Sequence, residues 1–299
     1  MIKVKNVSKS YKNKKVLKNV SLNIEGIYGL IGPNGAGKTT LMRTLSGLIS
    51  ANEGEVLIEE SDVMNSESLI KNIRDHIAYL PQDFTIYPKA TIYECLNHIA
   101  MLKGMKDKKE RMKRIDKVLH QVNLQDVQTQ KIHKLSGGMR KRVGIAQMFL
   151  TEPSILIIDE PTAGLDIDER IRFRNLLREL SKDKTIIISS HIVEDVEFLC
   201  TKIGILKNGV VLQEGKPSEI SQFSRRLVWE ITIQSDDLAE VLKSHTVVDI
   251  KQKDYNHLDI RVLAKNKPAN AKPLEPTLID GCLSIINGWG MGEECNGAI

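Results

Sequence analysis

Residues Gly32 to Thr40, read as GPNGAGKTT, constrain this chain more than any other stretch. Gly, four free residues and then Gly-Lys-Thr is the spacing of a phosphate loop, with Gly32, Gly37, Lys38 and Thr39 at its fixed places. The upstream run Ile27 to Ile31 reads as a short buried strand and Thr40 to Leu45 as a helix, so the glycines fall at a strand-to-helix turn. Such a turn lets successive backbone N–H groups point at phosphate oxygens, and the helix start adds about half a positive charge there. Lys38 can then reach the β- and γ-phosphates, and the Thr39 hydroxyl can ligate magnesium. Asn34, Gly35, Gly37, Lys38, Thr39 and Thr40 are the expected phosphate-binding set.

A length of 299 residues exceeds one ordinary domain, and an apolar fraction of 41% supports a large core plus an appendage. No run approaches the ~18 apolar residues of a membrane span. Met1 to Asn6 carries charges where a secretory apolar region would lie, so a cytosolic chain is expected. Cys95, Cys200, Cys282 and Cys295 form no CxxC pair and have no His at metal spacing, which predicts free thiols rather than zinc. The net charge is +5, but residues 221–299 hold nine Lys/Arg against eleven Asp/Glu, leaving 34 against 27 in residues 1–220. That surplus suits polyanions such as nucleotides. Its densest cluster, Lys103 to Lys117, reads as a solvated helix face.

Ile2, Val4 and Val7 alternate with polar residues, and Val16, Val20, Leu22 and Ile24 keep a similar rhythm, so the chain opens on β structure. Ser8 to Lys12 between them reads as a polar turn carrying Tyr11. Gly54 to Ile58 and Ile77 to Gln82 are further strand signals. Thr91 followed by Glu94 is a capping box opening a helix with Ile92, Leu96, Ile99 and Leu102 on one face. A second helix spans Lys108 to Val122, and a third spans Arg140 to Leu150. Asp166 and Glu169 start a helix that runs through Leu180. Ile155 to Ile158 and Thr185 to Ser190 read as buried parallel strands, and Asn208-Gly209 as a hairpin turn. Strands alternating with helices predict an α/β fold with a mainly parallel sheet. Beyond Pro217 the reading is a small α+β appendage: strands near Leu227–Ile233, Val247–Ile250 and Leu258–Val262, helices at Leu238–Leu242 and Thr277–Ile286, then a loose tail.

A phosphate loop needs an acidic strand for magnesium, and Asp159 ends the apolar run of residues 155–158. Glu160, next along the same carboxyl edge, is placed to polarise an attacking water, which a metal-bound Asp159 cannot do. The order GPNGAGKTT, Leu80-Pro81-Gln82, Leu135-Ser136-Gly137-Gly138-Met139, ILIIDEPTAGLD over residues 155–166 and IISSH over residues 187–191 closely resembles the ATPase subunits of ATP-binding cassette (ABC) transporters. Phosphate loops occur in many ATPases and GTPases, whereas the LSGGM stretch is the signature of this superfamily.

The resemblance covers residues 1–220 and implies a P-loop NTPase: a mainly parallel sheet, an antiparallel β part and an all-α insert at about residues 83–134, followed by an accessory domain at 221–299. It implies that Tyr11 stacks on adenine, that Gln82 senses magnesium and the attacking water, and that His191 holds the γ-phosphate and water in line. Ser136, Gly137 and Gly138 would contact ATP held by an opposite subunit, and Asp166 would couple the two sites. Thr39, Gln82 and Asp159 would hold Mg2+. Met139 departs from the commoner Gln and cannot donate an amide hydrogen bond; similar signatures occur in cassettes of drug, antibiotic and sodium exporters. The expected partners are a second cassette, identical or paralogous, and an integral membrane permease, with no nucleic acid. The permease would hold the chain at the inner face of the membrane. Its helix is expected to dock beside Gln82 and the apolar Phe84, Ile86 and Tyr87. The alternative class is a non-transport cassette ATPase serving iron–sulfur assembly, nucleic acid or the ribosome.

Overall fold

The computed structural model of the chain describes residues 1–58, 76–82, 84, 87–181 and 184–289. Ile86, Cys295 and the expected loose tail from residue 290 onward lie outside the described residues. The first elements are β1 (Ile2–Tyr11), β2 (Lys14–Ile24), β3 (Ile27–Ile31), α1 (Lys38–Leu45) and β4 (Glu53–Ile58). Strands β2, β1 and β4 form an antiparallel sheet in that order. Ser8 to Tyr11, expected as a turn, is the end of β1: Ser10 pairs with Lys15 and Tyr11 with Lys14, leaving Lys12 and Asn13 to turn. Hairpin pairing recruits these polar residues into the strand, because backbone partners on β2 outweigh weak side-chain preference.

The next elements are β5 (Ile77–Leu80), α2 (Ile92–Leu102), α3 (Lys108–Gln121), α4 (Gly137–Phe149), β6 (Ile155–Ile158), α5 (Ile167–Leu180), β7 (Thr185–Ser190), α6 (Val193–Leu199), β8 (Lys202–Lys207) and β9 (Val210–Gly215). A six-stranded sheet runs β5-β6-β7-β3-β8-β9, parallel except for the final hairpin. The central strand β6 is apolar at every position and β7 through Ile186–Ile188, because both faces of the sheet are covered there. Leu156, Ile158, Ile186 and Ile188 enter a core shared with the helices, while Ile155, Ile157 and Ile187 enter a second core beneath the antiparallel sheet. Burying each such side chain stabilises the fold by about 1.5–3 kcal/mol. The expected capping box is formed, Thr91 Oγ1 accepting from Glu94 N at 3.1 Å and Glu94 Oε2 accepting from Thr91 N at 2.8 Å.

The basic cluster is not wholly a solvated face. Arg111 is buried, its guanidinium donating to Asn97 Oδ1 and to the carbonyls of Met105 and Lys106. Arg114 and Lys117 pair with Glu152 and hold its carboxyl down at about 2. Cys95, Cys200 and Cys282 are buried free thiols, and burial pushes Cys95 up to about 11 and Cys282 up to about 12.

Asn208 (φ 51°) and Gly209 (φ 82°) both take positive φ, as a type I′ hairpin turn requires. The turn reaches the phosphate loop: Gly209 N donates to Ala36 O at 2.9 Å, and Lys18 N donates to Gly209 O at 2.8 Å. A side chain at residue 209 would stand 2.2 Å from Val16 O.

The remaining elements are α7 (Pro217–Ser221), β10 (Val228–Gln234), α8 (Leu238–Ser244), β11 (Thr246–Gln252), β12 (His257–Leu263), β13 (Lys272–Pro273) and α9 (Leu278–Ile286). An antiparallel sheet ordered β11-β12-β10-β13 packs Ile231, Leu258, Ile260 and Val262 against Leu238 and Val241 of α8. The helix α9 packs elsewhere: Leu278, Cys282 and Ile285 belong to the large core of the first unit, with Ile220. Its first turn is tied back to the appendage by Asp280, which is fully buried. Arg261 Nε and Nη2 reach the Asp280 carboxylate at 3.0 and 2.5 Å, and Thr277 N and Oγ1 each donate to it at 2.7 Å.

Two predictions follow from these contacts. Arg261→Met leaves the buried Asp280 carboxylate without its counter-ion and should lower unfolding free energy by about 3–5 kcal/mol in a denaturant titration. Gly209→Ala, forced into positive φ against Val16 O, should cost about 1–3 kcal/mol and weaken nucleotide binding in the same preparation, because the turn braces the phosphate loop.

Candidate functional site

The phosphate loop sits where β3 ends and α1 begins. Gly37, the N-cap of α1, has φ 110°, a conformation that glycine adopts freely. The Lys38 ammonium is turned onto its own loop, donating to Gly32 O at 2.6 Å and Pro33 O at 3.3 Å. Burial pulls Lys38 below its ordinary value, while the nearby Glu160 and Asp159 carboxylates oppose that shift. Asn34, Gly35, Gly37, Lys38, Thr39 and Thr40 line one cavity of about 540 Å³, together with Gln82 and Glu160. All six expected phosphate-binding residues are thus brought together. Lys14, Lys15, Lys18 and Asn208 also line this cavity. Sequence reasoning did not single them out; the Asn-Gly signal marked a hairpin but not its destination.

The carboxylates stand at the carboxyl end of β6, beside the end of β7. Asp159 is 3% exposed, and Ser189 Oγ donates to its Oδ1 at 2.5 Å. The same hydroxyl accepts from Glu160 N at 2.9 Å. Glu160 takes φ 49°, a left-handed conformation unfavourable for a residue with a side chain. Its Oε2 lies 2.5 Å from His191 Nδ1. An ionised carboxylate only accepts, so in this contact His191 Nδ1 is the donor. The buried Asp195 of α6 accepts from Thr162 Oγ1 and pairs with Arg174, holding the segment after Glu160.

The other expected residues lie outside the phosphate-loop cavity. Ser136 is the exposed N-cap of α4, its Oγ accepting from Met139 N at 3.1 Å, and Gly137 and Gly138 form the first turn. Gly137 lines a separate groove of about 770 Å³ with Gln82, Phe84, His133, Arg140 and Lys141. Only Gln82 is common to both cavities' linings. Asp166 is exposed and N-caps α5, accepting from Glu169 N at 2.8 Å. The Glu169 carboxylate then lies against Gly138 and pairs with Arg142 at 3.6 Å. Tyr11 stands exposed at the end of β1, outside the cavity lining, with the Lys9 ammonium 5.5 Å from its ring centroid. Phe84 packs on the core beside Gly144 and Leu80, whereas Tyr87 is exposed and meets His98 edge-on.

The donor set of Thr39, Asp159 and Gln82 is all oxygen, the chemistry that suits Mg2+, which takes one or two carboxylates and completes its shell with phosphate and water. Among the described residues no cluster of three or more His, Cys, Asp or Glu is poised to hold a metal. No helix among them is long and apolar enough to cross a membrane.

Residues 17–163 match the family described as ABC transporter. The methionine import ATP-binding protein MetN of Clostridioides difficile is 33% identical over 249 residues, 78% of this chain and 75% of that protein. The linearmycin resistance ATP-binding protein LnrL of Bacillus subtilis is 29% identical over 266 residues, 88% of this chain and 84% of that protein. Among solved structures, the dimeric post-hydrolysis state of the ATP-binding cassette MJ0796 bound to ADP and Pi aligns with a TM-score of 0.63 and 32% identity, over 72% of this chain and 98% of that one. Phosphate loop, acidic strand and LSGGM signature in this order and this fold, with relatives matched over most of their length, place the chain among the ATP-binding, ATP-hydrolysing subunits of ABC transporters.

Proposed function

We propose that this subunit pairs head to tail with a second cassette around two Mg-ATP and drives a separate membrane permease that exports its cargo. The observation that carries the mechanism is the Glu160–His191 contact of 2.5 Å at the rim of the phosphate-loop cavity. In this reading Lys38 leaves the carbonyls of Gly32 and Pro33 for the phosphate oxygens, joined by loop amides from Asn34 to Thr40. Thr39, Asp159 and Gln82 would hold Mg2+, whose charge offsets that of the β- and γ-phosphates. Glu160 takes a proton from water as its oxygen bonds to the γ-phosphorus, and the bond from that phosphorus to the bridging oxygen breaks. His191 keeps the accepting carboxylate in place, and Tyr11 stacks on the adenine.

The signature and the phosphate loop line different cavities of one chain, which supports completion of each site by Ser136, Gly137 and Gly138 of the opposite subunit. Asp166, at the start of α5, would couple the two sites. The groove beside Gln82 is the proposed seat of the permease segment, since one residue there faces both the nucleotide and the docking surface. The relatives include both a linearmycin resistance protein, matched over 88% of the chain, and a spermidine/putrescine import protein, matched over 93%, so the export reading rests on the LSGGM form of the signature. The permease would hold the subunit at the inner membrane face.

Glu160→Gln should bind ATP with unchanged affinity yet lose roughly 10²–10⁴ in kcat, with a closed dimer accumulating on a sizing column. Near-normal turnover would remove Glu160 as the base. Ser136→Arg should abolish turnover while a monomer still binds ATP; a monomer that no longer binds would contradict completion in trans. Co-purification of the native permease in detergent, followed by cargo flux in vesicles, checks the partner and the direction.

A further inference from the structure

Lys141 lies on α4, one turn beyond the signature glycines, and its side chain points back to the catalytic strand. Its ammonium donates to three carbonyls of the segment that follows β6: Glu160 O at 3.1 Å, Pro161 O at 2.7 Å and Ala163 O at 2.7 Å. An ammonium has three N–H donors, and hydrogen bonds from a charged donor are roughly twice as strong as neutral ones. The peptide planes they orient belong to a segment that begins in strain, because Glu160 holds φ 49°. On its amide side that residue is anchored by Ser189 Oγ, and on its carbonyl side by Lys141. Fixing both peptide planes fixes the direction in which the Glu160 side chain leaves the backbone, and hence the carboxylate that meets His191.

We infer that Lys141 is a positioning residue for hydrolysis, holding the Glu160 backbone in its left-handed conformation from the neighbouring signature helix. The inference rests on the reading of Glu160 as the base. Lys141 is absent from the lining of the phosphate-loop cavity, so its contribution is to turnover rather than to ATP affinity. Asp159 takes its own hydrogen bond from Ser189, which leaves the carboxylate assigned to Mg2+ outside the reach of the Lys141 contacts. The part of Lys141 that matters is donation to carbonyls, so an amide of similar length should substitute where an apolar chain does not.

The test compares the full-length chain with Lys141→Met, Lys141→Leu and Lys141→Gln in basal Mg-ATP hydrolysis, with nucleotide affinity and melting temperature measured on the same preparations. Lys141→Met and Lys141→Leu should lose roughly ten- to a hundredfold in kcat, the scale of a small misplacement of a reacting group, with KM and ATP Kd unchanged. Lys141→Gln should recover most of that loss. Wild-type kcat in either apolar variant overturns the inference, as does a fall in ATP affinity that accounts for the whole loss. Unfolding of both apolar variants also overturns it, by making Lys141 a residue of the packed interior. Glu160→Gln serves as the control in the same assay. If it hydrolyses normally, the reading of the base fails whatever Lys141 does; if it is inert while Lys141→Met turns over normally, only the present inference fails.

Discussion

The hydroxyl of Ser189, shared between Asp159 Oδ1 and the backbone amide of Glu160, is the contact on which the arrangement of the candidate site depends. It exists because β6 and β7 are parallel neighbours in a register that pairs Ile158 with Ile188. Two apolar strands thereby deliver a carboxylate and a hydroxyl to the same edge, the place where open α/β sheets put their ligands. A carboxylate as buried as Asp159 is unfavourable without a donor, so the hydrogen bond and the sheet register support each other. His191, just past the end of β7, then meets Glu160, just past the end of β6, with no long loop to order.

Much of this was legible in the residues. Apolar runs ending in Asp-Glu and in Ser-Ser-His announce buried parallel strands and their chemical ends, and Gly37-Lys38 announces the turn that α1 caps. Helix starts at Thr91 and Asp166 were readable because a short polar side chain before an apolar run has few other uses, whereas the helix expected from Arg140 begins at Gly137, capped by Ser136. What escaped notice was long-range. Ser8 to Tyr11 read as a turn because strand pairing with β2 leaves no local mark. Arg111 and Arg114 read as solvated because burial of a cation depends on carbonyls and carboxylates that come from elsewhere in the chain. Lys141 looked like one more basic residue in Arg140-Lys141-Arg142, and only the fold shows three carbonyls converging on it.

The arrangement of cavities gives the family's division of labour a local form in this chain. The nucleotide pocket and the groove beside the helical insert are separate spaces, and Gln82 lines both. Gly137 of the signature lines the groove and not the phosphate-loop cavity, while Glu169, whose amide is capped by Asp166, lies against Gly138. The start of α5 thus touches the start of α4 directly, through the Glu169 carboxylate.

The last helix has a consequence for the order in which the chain is made. By its apolar face α9 belongs to the core of the first unit, beside Ile220, yet its first turn is anchored through Asp280 to the appendage sheet. Because synthesis runs from the N-terminus, the residues of α9 that pack beside Ile220 are made only after the whole appendage. The appendage thus acts as a guide that returns the end of the polypeptide to a slot left vacant some sixty residues earlier, at Ile220. A chain ending before α9 would lack Leu278, Cys282 and Ile285, the apolar side chains that fill this flank beside Ile220.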